Sequence, residues 1–166
     1  MKPISALVDI TNYILFDIGR PLHVFDSNKI SVEVFVKLAN KGESFTGLDN
    51  KTYQLTQEDL VVTDKEKILS LAGIMGGANS CVTKDTTEVF LEVAYFDPNS
   101  IAKTGRRHNI ITDSRYRFER GIDKDGLYEG LFKATELINQ ICGGNYSDIT
   151  IAGKNIQENE DIIFKF

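Results

Sequence analysis

The spacing of the apolar residues changes twice along this 166-residue chain, and these changes limit the folds that it can adopt. Residues 4–18 carry apolar side chains three and four positions apart, which predicts a helix that Gly19 and Pro21 end. The spacing then shortens to a period of two, which is typical of strands. Strands are predicted for five segments, at residues 31–37, 51–55, 60–63, 67–71 and 88–93.

The remainder of the chain shows helical spacing again. Asp97 and Thr112 are predicted to cap two helices, and Asp123 a third whose apolar stripe runs from Leu127 to Ile141. One helix, then a block of strands, then a block of helices is an α+β arrangement, because strands and helices do not alternate.

The composition is that of a globular domain, with 42% hydrophobic and 26% charged residues. Two cysteines are too few for a disulfide framework or a four-cysteine zinc site. No apolar run approaches the roughly 20 residues that cross a membrane. The sequence therefore predicts a soluble, cytoplasmic domain without a membrane partner.

The charge is distributed unevenly along the chain. The net charge is −5, but residues 101–120 contain six basic and two acidic side chains and carry +4, which leaves −9 elsewhere. This basic segment could contact a polyanion. Alternatively, its arginines pair internally with the many carboxylates, and charge alone leaves both interpretations open.

Several polar or glycine-rich positions stand out because their surroundings are apolar, although no serine, cysteine, phosphate-loop or multi-histidine metal signature is present. Thr11 and Asn12 interrupt the first helix, and His23 follows a Gly-Arg-Pro-Leu turn. Residues 71–77 hold three glycines after a strand, and Glu92 lies inside one. Each position also has a structural explanation, such as a cap, a bend or an internal ion pair.

Four segments resemble, in order and at suitable spacing, the B3/B4 module of the bacterial phenylalanine–tRNA ligase beta subunit. They are DITNYILFDIGRPLHVFD (9–26), LAGIMGG (71–77), FLEVAYFDP (90–98) and RYRFERGID (115–123). The resemblance implies a β-rich, layered α+β fold, with a sandwich-like core and flanking helices, over residues 1–152. Residues 153–166 would then connect to the next module of a longer subunit.

The resemblance implies an editing module that hydrolyses tyrosine wrongly attached to phenylalanine tRNA. In the family pattern Glu92, as an ionised carboxylate, and the Gly73 N–H bind the phenolic hydroxyl group. His23 and Asn12 lie near the ester, and His23 acts as a general base or, as we favour, positions the substrate. The implied pocket consists of the catalytic positions Thr11, Asn12 and His23 and the substrate-binding positions Ala72, Gly73, Gly76 and Glu92.

The basic segment would contact tRNA phosphates through Arg106, Arg107 and Arg115, while Tyr116 and Phe118 pack in the core. The resemblance implies no cofactor or metal in this chain, since ATP and magnesium belong to other parts of the ligase. The implied partners are phenylalanine tRNA, the alpha subunit and the other beta-subunit modules of a heterotetramer. The alternative function is a non-catalytic tRNA-binding or scaffold module. A stand-alone hydrolase of another class has little support.

Overall fold

A computed structural model describes residues 3–153 of the chain. Within this range the chain forms four α-helices and eight short strands, and a 3-10 turn, Ser27–Lys29, follows the first strand. The helices are α1 Ala6–Asp17, α2 Pro98–Arg107, α3 Asp113–Phe118 and α4 Leu127–Cys142. The strands are β1 His23–Asp26, β2 Phe35–Leu38, β3 Ser44–Thr46, β4 Thr52–Gln54, β5 Leu60–Thr63, β6 Ile68–Leu71, β7 Met75–Gly76 and β8 Val89–Glu92.

The predicted α+β class is confirmed, and every strand pairing among the described residues is antiparallel. One sheet has the strand order β2-β5-β6-β7, and two further pairs form ribbons, β1 with β8 and β3 with β4. The predicted connector, residues 153–166, lies outside the described residues from residue 154 onward.

The β1–β8 ribbon lies between two apolar clusters, and this layering positions the candidate site. On one side, Leu91 of β8 packs on the cluster that Ile10, Ile14 and Ala134 form between α1 and α4. On the other side, Phe25 of β1 belongs to the larger cluster that contains the buried residues of β5 and β6. Because side chains alternate along a strand, the ribbon presents one set of residues to each cluster.

The predicted N-caps agree with the structure at two of three positions. The Asp97 side chain accepts from the Ser100 N–H at 2.8 Å, and Thr112 Oγ1 accepts from the Arg115 N–H at 3.1 Å. The Asp123 prediction is wrong, because Gly126 occupies the N-cap of α4. The Asp123 carboxylate instead accepts from the Asp125 N–H at 3.0 Å, in a local turn that delays the helix.

The strand predicted at residues 31–37 is shorter than expected. Only Phe35–Leu38 pairs with a neighbour, and Val32 is 94% exposed. The Ser31 N–H donates to the Asp64 carboxylate at 2.9 Å, so the start of the segment is held by a side chain rather than by a neighbouring strand. An alternating pattern therefore indicated an extended backbone here but not the extent of pairing.

Residues Tyr116 and Phe118 of α3 differ from each other in burial. Phe118 is buried in the larger cluster, as predicted, but Tyr116 is 56% exposed, so its predicted place in the core is wrong. No helix within residues 3–153 is long and apolar enough to cross a membrane.

Candidate functional site

The β1–β8 ribbon brings His23 and Glu92 together, although they are separated by most of the strand-forming half of the chain. The two residues are direct partners in the antiparallel register, and the next pair on the same face is Phe25 opposite Phe90. Directly opposed residues place their Cβ atoms about 5 Å apart. The His23 ring meets the Phe25 ring edge-on, with centroids 4.4 Å apart. One face of the ribbon thus combines an imidazole and a carboxyl group with two aromatic rings.

Two polar atoms of this pair are buried without hydrogen-bond partners among residues 3–153. They are Nε2 of His23 and Oε2 of Glu92, and each side chain is only half-buried as a whole. A buried polar atom without a partner costs about 1–3 kcal/mol, so such atoms are rare unless a ligand or water completes them. The pair is therefore the strongest candidate for a ligand-binding site on this face of the ribbon.

Burial moves the pKa values of the two groups in opposite directions. It raises the pKa of Glu92 to about 7 and lowers the pKa of His23 to about 4, because each loses hydration of its charged form. At neutral pH the imidazole is uncharged and the carboxyl group is near its midpoint. This differs from the sequence-based expectation of a fully ionised Glu92.

Gly76 of β7 lies directly beside the His23 ring. A Cβ atom at position 76 would lie 2.6 Å from His23 Nε2 and 3.1 Å from Leu48 Cδ1. The Leu48 N–H donates to the Gly76 carbonyl at 3.0 Å, which holds residues 47–50 beside the site. The glycine at position 76 is therefore required by the close approach of the imidazole rather than by backbone conformation.

We expect Gly76→Ala to displace the His23 ring and to destabilise the chain by about 2 kcal/mol, the usual cost of adding a methyl group to a packed site. The added Cβ would overlap the imidazole. Urea unfolding followed by circular dichroism measures the change. Equal stability of the variant and the parent would show that the ring is not held where the structure places it.

Ala72 and Gly73 lie in the turn between β6 and β7, just before Gly76. Ala72 is fully buried in the larger cluster, and its N–H donates to the Leu60 carbonyl at 3.0 Å. Gly73 has a left-handed backbone (φ 67°), and its carbonyl accepts from Ser114 Oγ at 3.1 Å. Its N–H donates to no other described residue. No hydrogen bond joins Gly73 to Glu92 within residues 3–153.

Thr11 and Asn12 lie on α1, which packs against β1. The Thr11 hydroxyl donates to the Val8 carbonyl at 2.9 Å, a bond within the helix that explains its burial structurally. The Asn12 side chain is half-buried and makes no hydrogen bond to another described residue. The structure thus places both on a helix that packs against β1 but joins neither to His23 or Glu92, and their catalytic roles stay predictions.

The three arginines predicted to contact tRNA differ in their surroundings. Arg107 pairs with the fully buried Asp59 and with Glu58. Arg115 donates to Glu119 at 2.9 Å and to the Ile110 carbonyl at 2.6 Å. Arg106 is exposed and pairs with no described residue.

These contacts favour internal pairing for two of the three, the alternative that charge alone left open. Asp59 also accepts from His108 Nε2 at 2.8 Å. Burial acts to raise the pKa of Asp59, but the hydrogen bonds and the neighbouring positive charges outweigh it and lower the pKa. Arg107 and Arg115 thus have structural roles, and only Arg106 presents an unengaged guanidinium group.

Sequence reasoning missed Phe25, Phe90 and Leu48 as neighbours of the site. Phe25 follows His23 by two positions and Phe90 precedes Glu92 by two, so strand alternation would have identified both once the pairing was known. Within residues 3–153 no group of three or more His, Cys, Asp or Glu side chains is placed to hold a metal ion.

Comparison with known proteins identifies the family of this chain. A family model described as the B3/4 domain matches residues 1–143. The chain belongs to the B3/4 domain family. The match includes the β1–β8 ribbon and the whole β6–β7 turn.

Curated relatives of this B3/4 chain are named phenylalanine–tRNA ligase beta subunit. The protein from Gluconobacter oxydans is 51% identical over 153 residues, which cover 92% of this chain and 19% of the relative. The Bartonella henselae protein is 47% identical over 164 residues, covering 99% and 20%. The Wolbachia protein is 44% identical over all 166 residues and 21% of its own length. The chain therefore spans about a fifth of the length of the curated relatives that it matches.

A solved structure with a lower similarity is an N-terminal fragment of the phenylalanyl-tRNA synthetase beta subunit from Pyrococcus horikoshii. It aligns with a TM-score of 0.45 and 21% identity, over 51% of this chain and 32% of that one.

Proposed function

We propose that this B3/4 chain is an editing module that hydrolyses the ester between tyrosine and phenylalanine tRNA. The observation that carries the proposal is the cross-strand pair of His23 and Glu92, each with a buried polar atom that lacks a partner. Relatives named phenylalanine–tRNA ligase beta subunit supply the biological setting. In that setting the partners would be the tRNA, the alpha subunit and the other beta-subunit modules.

The chemistry of the correction explains why a carboxyl group is suited to this position. A hydrophobic pocket shaped for phenylalanine discriminates against tyrosine by only about a hundredfold, because such a pocket cannot strongly reject a side chain that merely adds a hydroxyl group. An editing site needs the opposite preference. Glu92 Oε2 can accept the phenolic O–H, whereas a phenylalanine ring would leave that atom buried and unpaired. The site would therefore select tyrosine for hydrolysis and spare the correct product.

The Gly73 N–H is proposed to donate a second hydrogen bond to the phenolic oxygen. A phenolic oxygen that donates to Glu92 can still accept one hydrogen bond, and the Gly73 N–H has no other described partner. The β6–β7 turn also contributes Gly76, which leaves room beside the imidazole. Residues 71–77 would thus form the wall that the aromatic ring approaches.

The low pKa of His23 supports a positioning role rather than general-base catalysis. An effective general base has a pKa near the working pH, and burial lowers the pKa of His23 to about 4. A neutral imidazole can hold the ester or its attacking water through one hydrogen bond. Asn12, whose side chain makes no hydrogen bond to a described residue, is proposed to hold the same water with a substrate hydroxyl group.

The proposal is tested with phenylalanine tRNA that carries either tyrosine or phenylalanine, by measuring the rate at which each ester is hydrolysed. We expect the chain to hydrolyse the tyrosyl ester faster, and His23→Ala to slow that hydrolysis about a hundredfold, as loss of a positioning contact does. Glu88→Ala is the matched control, because Glu88 is exposed and precedes β8. Rates that equal spontaneous hydrolysis for both esters would favour the non-catalytic scaffold instead.

A further inference from the structure

A cavity of about 300 Å³ lies between the end of α1, the end of α3 and the start of α4. It shares no lining residue with the His23–Glu92 site. Three arginines line it, together with an exposed tyrosine and two carboxylates: Arg20, Arg117, Arg120, Tyr116, Asp123 and Glu129. The volume is at the lower end of the range for small-ligand sites, so it can take a group such as a phosphate and part of its substituent.

Arg20 is the residue that distinguishes this cavity from an ordinary surface cleft. It is only 3% exposed, and its Nη2 donates to the Asp123 carbonyl. Its Nη1 is buried and has no hydrogen-bond partner among the described residues. A guanidinium group is always charged in proteins and carries only donors, so Nη1 requires an acceptor oxygen. An anion bound in the cavity would supply that oxygen.

Arg117 and Arg120 leave part of their hydrogen-bonding capacity unused in the same cavity. Arg117 Nη1 donates to the Asp113 carbonyl at 2.9 Å, and Arg120 Nη1 donates to the Tyr116 carbonyl at 2.8 Å. In both residues Nη2 makes no hydrogen bond to another described residue. Two further donors are therefore available to a ligand.

The unpaired donors of the lining, rather than its net charge, favour an anion. The three guanidinium groups face the carboxylates of Asp123 and Glu129. Arg117 and Arg120 also pair with Asp113 at 3.4 Å and with Glu119 at 2.9 Å, so positive charge is not in excess. Asp123 is already engaged, since it accepts from the Asp125 N–H. A phosphate group suits this arrangement because it offers several oxygens to arginines that approach from different sides.

Aromatic rings stacked with the same arginines indicate a nucleic acid strand rather than a free anion. The Arg120 guanidinium lies 3.7 Å from the Tyr116 ring centroid, and Arg117 lies 5.0 Å from that of Phe16. Both rings are about half exposed. Arginines that alternate with exposed aromatic rings are typical of single-strand recognition, in which phosphates bind the cations and bases stack on the rings.

We propose that this cavity binds a phosphate group of single-stranded RNA, with Arg20 as its buried donor and Arg117 and Arg120 beside it. The site uses arginines other than the predicted Arg106, Arg107 and Arg115. It does not depend on hydrolysis at His23 and Glu92.

The experiment measures binding of a fluorescently labelled eight-nucleotide RNA to the 166-residue chain by anisotropy at several salt concentrations. Arg117→Gln and Arg120→Gln each remove one positive charge near the surface. We expect each to weaken binding about fivefold and to reduce the salt dependence by about 0.7 in log Kd per log salt, the value for one single-strand phosphate contact. Lys84→Gln is the matched control, because Lys84 is exposed and does not line the cavity.

Three further arms make the test specific to RNA at this cavity. Arg20→Lys keeps the charge but removes the branched donor, and we expect it to weaken binding while thermal unfolding shows a folded chain. Tyr116→Leu should weaken binding without changing the salt dependence, because stacking carries no charge. Inorganic phosphate and adenosine 5′-monophosphate should compete only at far higher concentrations than unlabelled RNA.

The proposal is overturned if the parent chain does not bind the RNA, or if Arg117→Gln and Arg120→Gln bind it as Lys84→Gln does. Competition by phosphate or adenosine monophosphate at the RNA's own Kd would show that the ligand is a free phosphate compound. The RNA of this assay carries no aminoacyl ester, so failure of editing and failure of this site are separable.

Discussion

We expect Glu92→Gln and His23→Gln to change the pH dependence of stability in opposite directions. Relative to the parent, Glu92→Gln should lose about 3 kcal/mol of unfolding free energy as the pH falls from 7 to 4.5. His23→Gln should gain about 3 kcal/mol as the pH falls from 6.5 to 4. Both values follow from the difference between the folded pKa and the ordinary one.

The signs follow from proton binding in the folded and unfolded states. The pKa of Glu92 is raised from 4.5 to about 7, so between these values the folded chain holds a proton that the unfolded chain has lost. Its contribution to stability is present at low pH and is lost as the pH rises to 7. The pKa of His23 is lowered from 6.5 to about 4, so its contribution is present at high pH and is lost as the pH falls. In the parent the two contributions nearly cancel between pH 4.5 and 6.5.

Urea unfolding at half-unit intervals from pH 4 to 8 measures both effects as differences from the parent, which removes the contribution of all other groups. Glu88→Gln is the control, because the Glu88 side chain is exposed. If both variants instead lose the most stability near neutral pH, the two side chains form an ion pair in solution. That result would contradict the unpaired arrangement.

Elements held by local contacts could be predicted from the sequence. Asp97 and Thr112 cap their helices because each bonds an N–H three residues away. β5 was also predicted with its observed bounds, and the glycine after α1 has the left-handed backbone that ends a helix, with φ 70°. Where the hydrogen-bond partner is a near neighbour along the chain, the residue types are sufficient.

The strand that carries His23 could not be predicted from periodicity. β1 lies between two apolar clusters, so Val24, Phe25 and Asp26 are all buried and no alternation marks the strand. Its partner, Glu92, is about 70 residues away, and no spacing rule connects the two. The resemblance to the family's motifs placed His23 and Glu92 in one pocket. Their polar character in apolar surroundings only marked each residue as unusual.

Arginine pairing illustrates the same distinction between local and distant partners. The Arg115–Glu119 pair has the i,i+4 spacing that a helix brings together and could have been anticipated. Arg107 pairs with Asp59, a carboxylate from a distant loop, and only the fold reveals that contact. The unused donor of Arg20 is likewise visible only when the buried surroundings of that side chain are known.

The second large effect concerns substrate choice, and we expect Glu92→Ala to abolish the preference for the tyrosyl ester. An unpaired buried acceptor disfavours phenylalanine by about 1–3 kcal/mol, which corresponds to roughly fivefold to a hundredfold or more in relative rate. Alanine removes the acceptor and with it this penalty. Glu92→Gln keeps a carbonyl oxygen that can accept the phenolic O–H, so its preference should lie between those of alanine and the parent.

The central claim is that the carboxyl group of Glu92 recognises the tyrosine hydroxyl group, and the most direct measurement is the ratio of tyrosyl to phenylalanyl deacylation rates. The account predicts a ratio well above one for the parent and for Glu88→Ala, a reduced ratio for Glu92→Gln, and a ratio near one for Glu92→Ala. If Glu92→Ala slows both esters equally and leaves the ratio unchanged, the carboxyl group serves the hydrolysis itself and does not select the substrate.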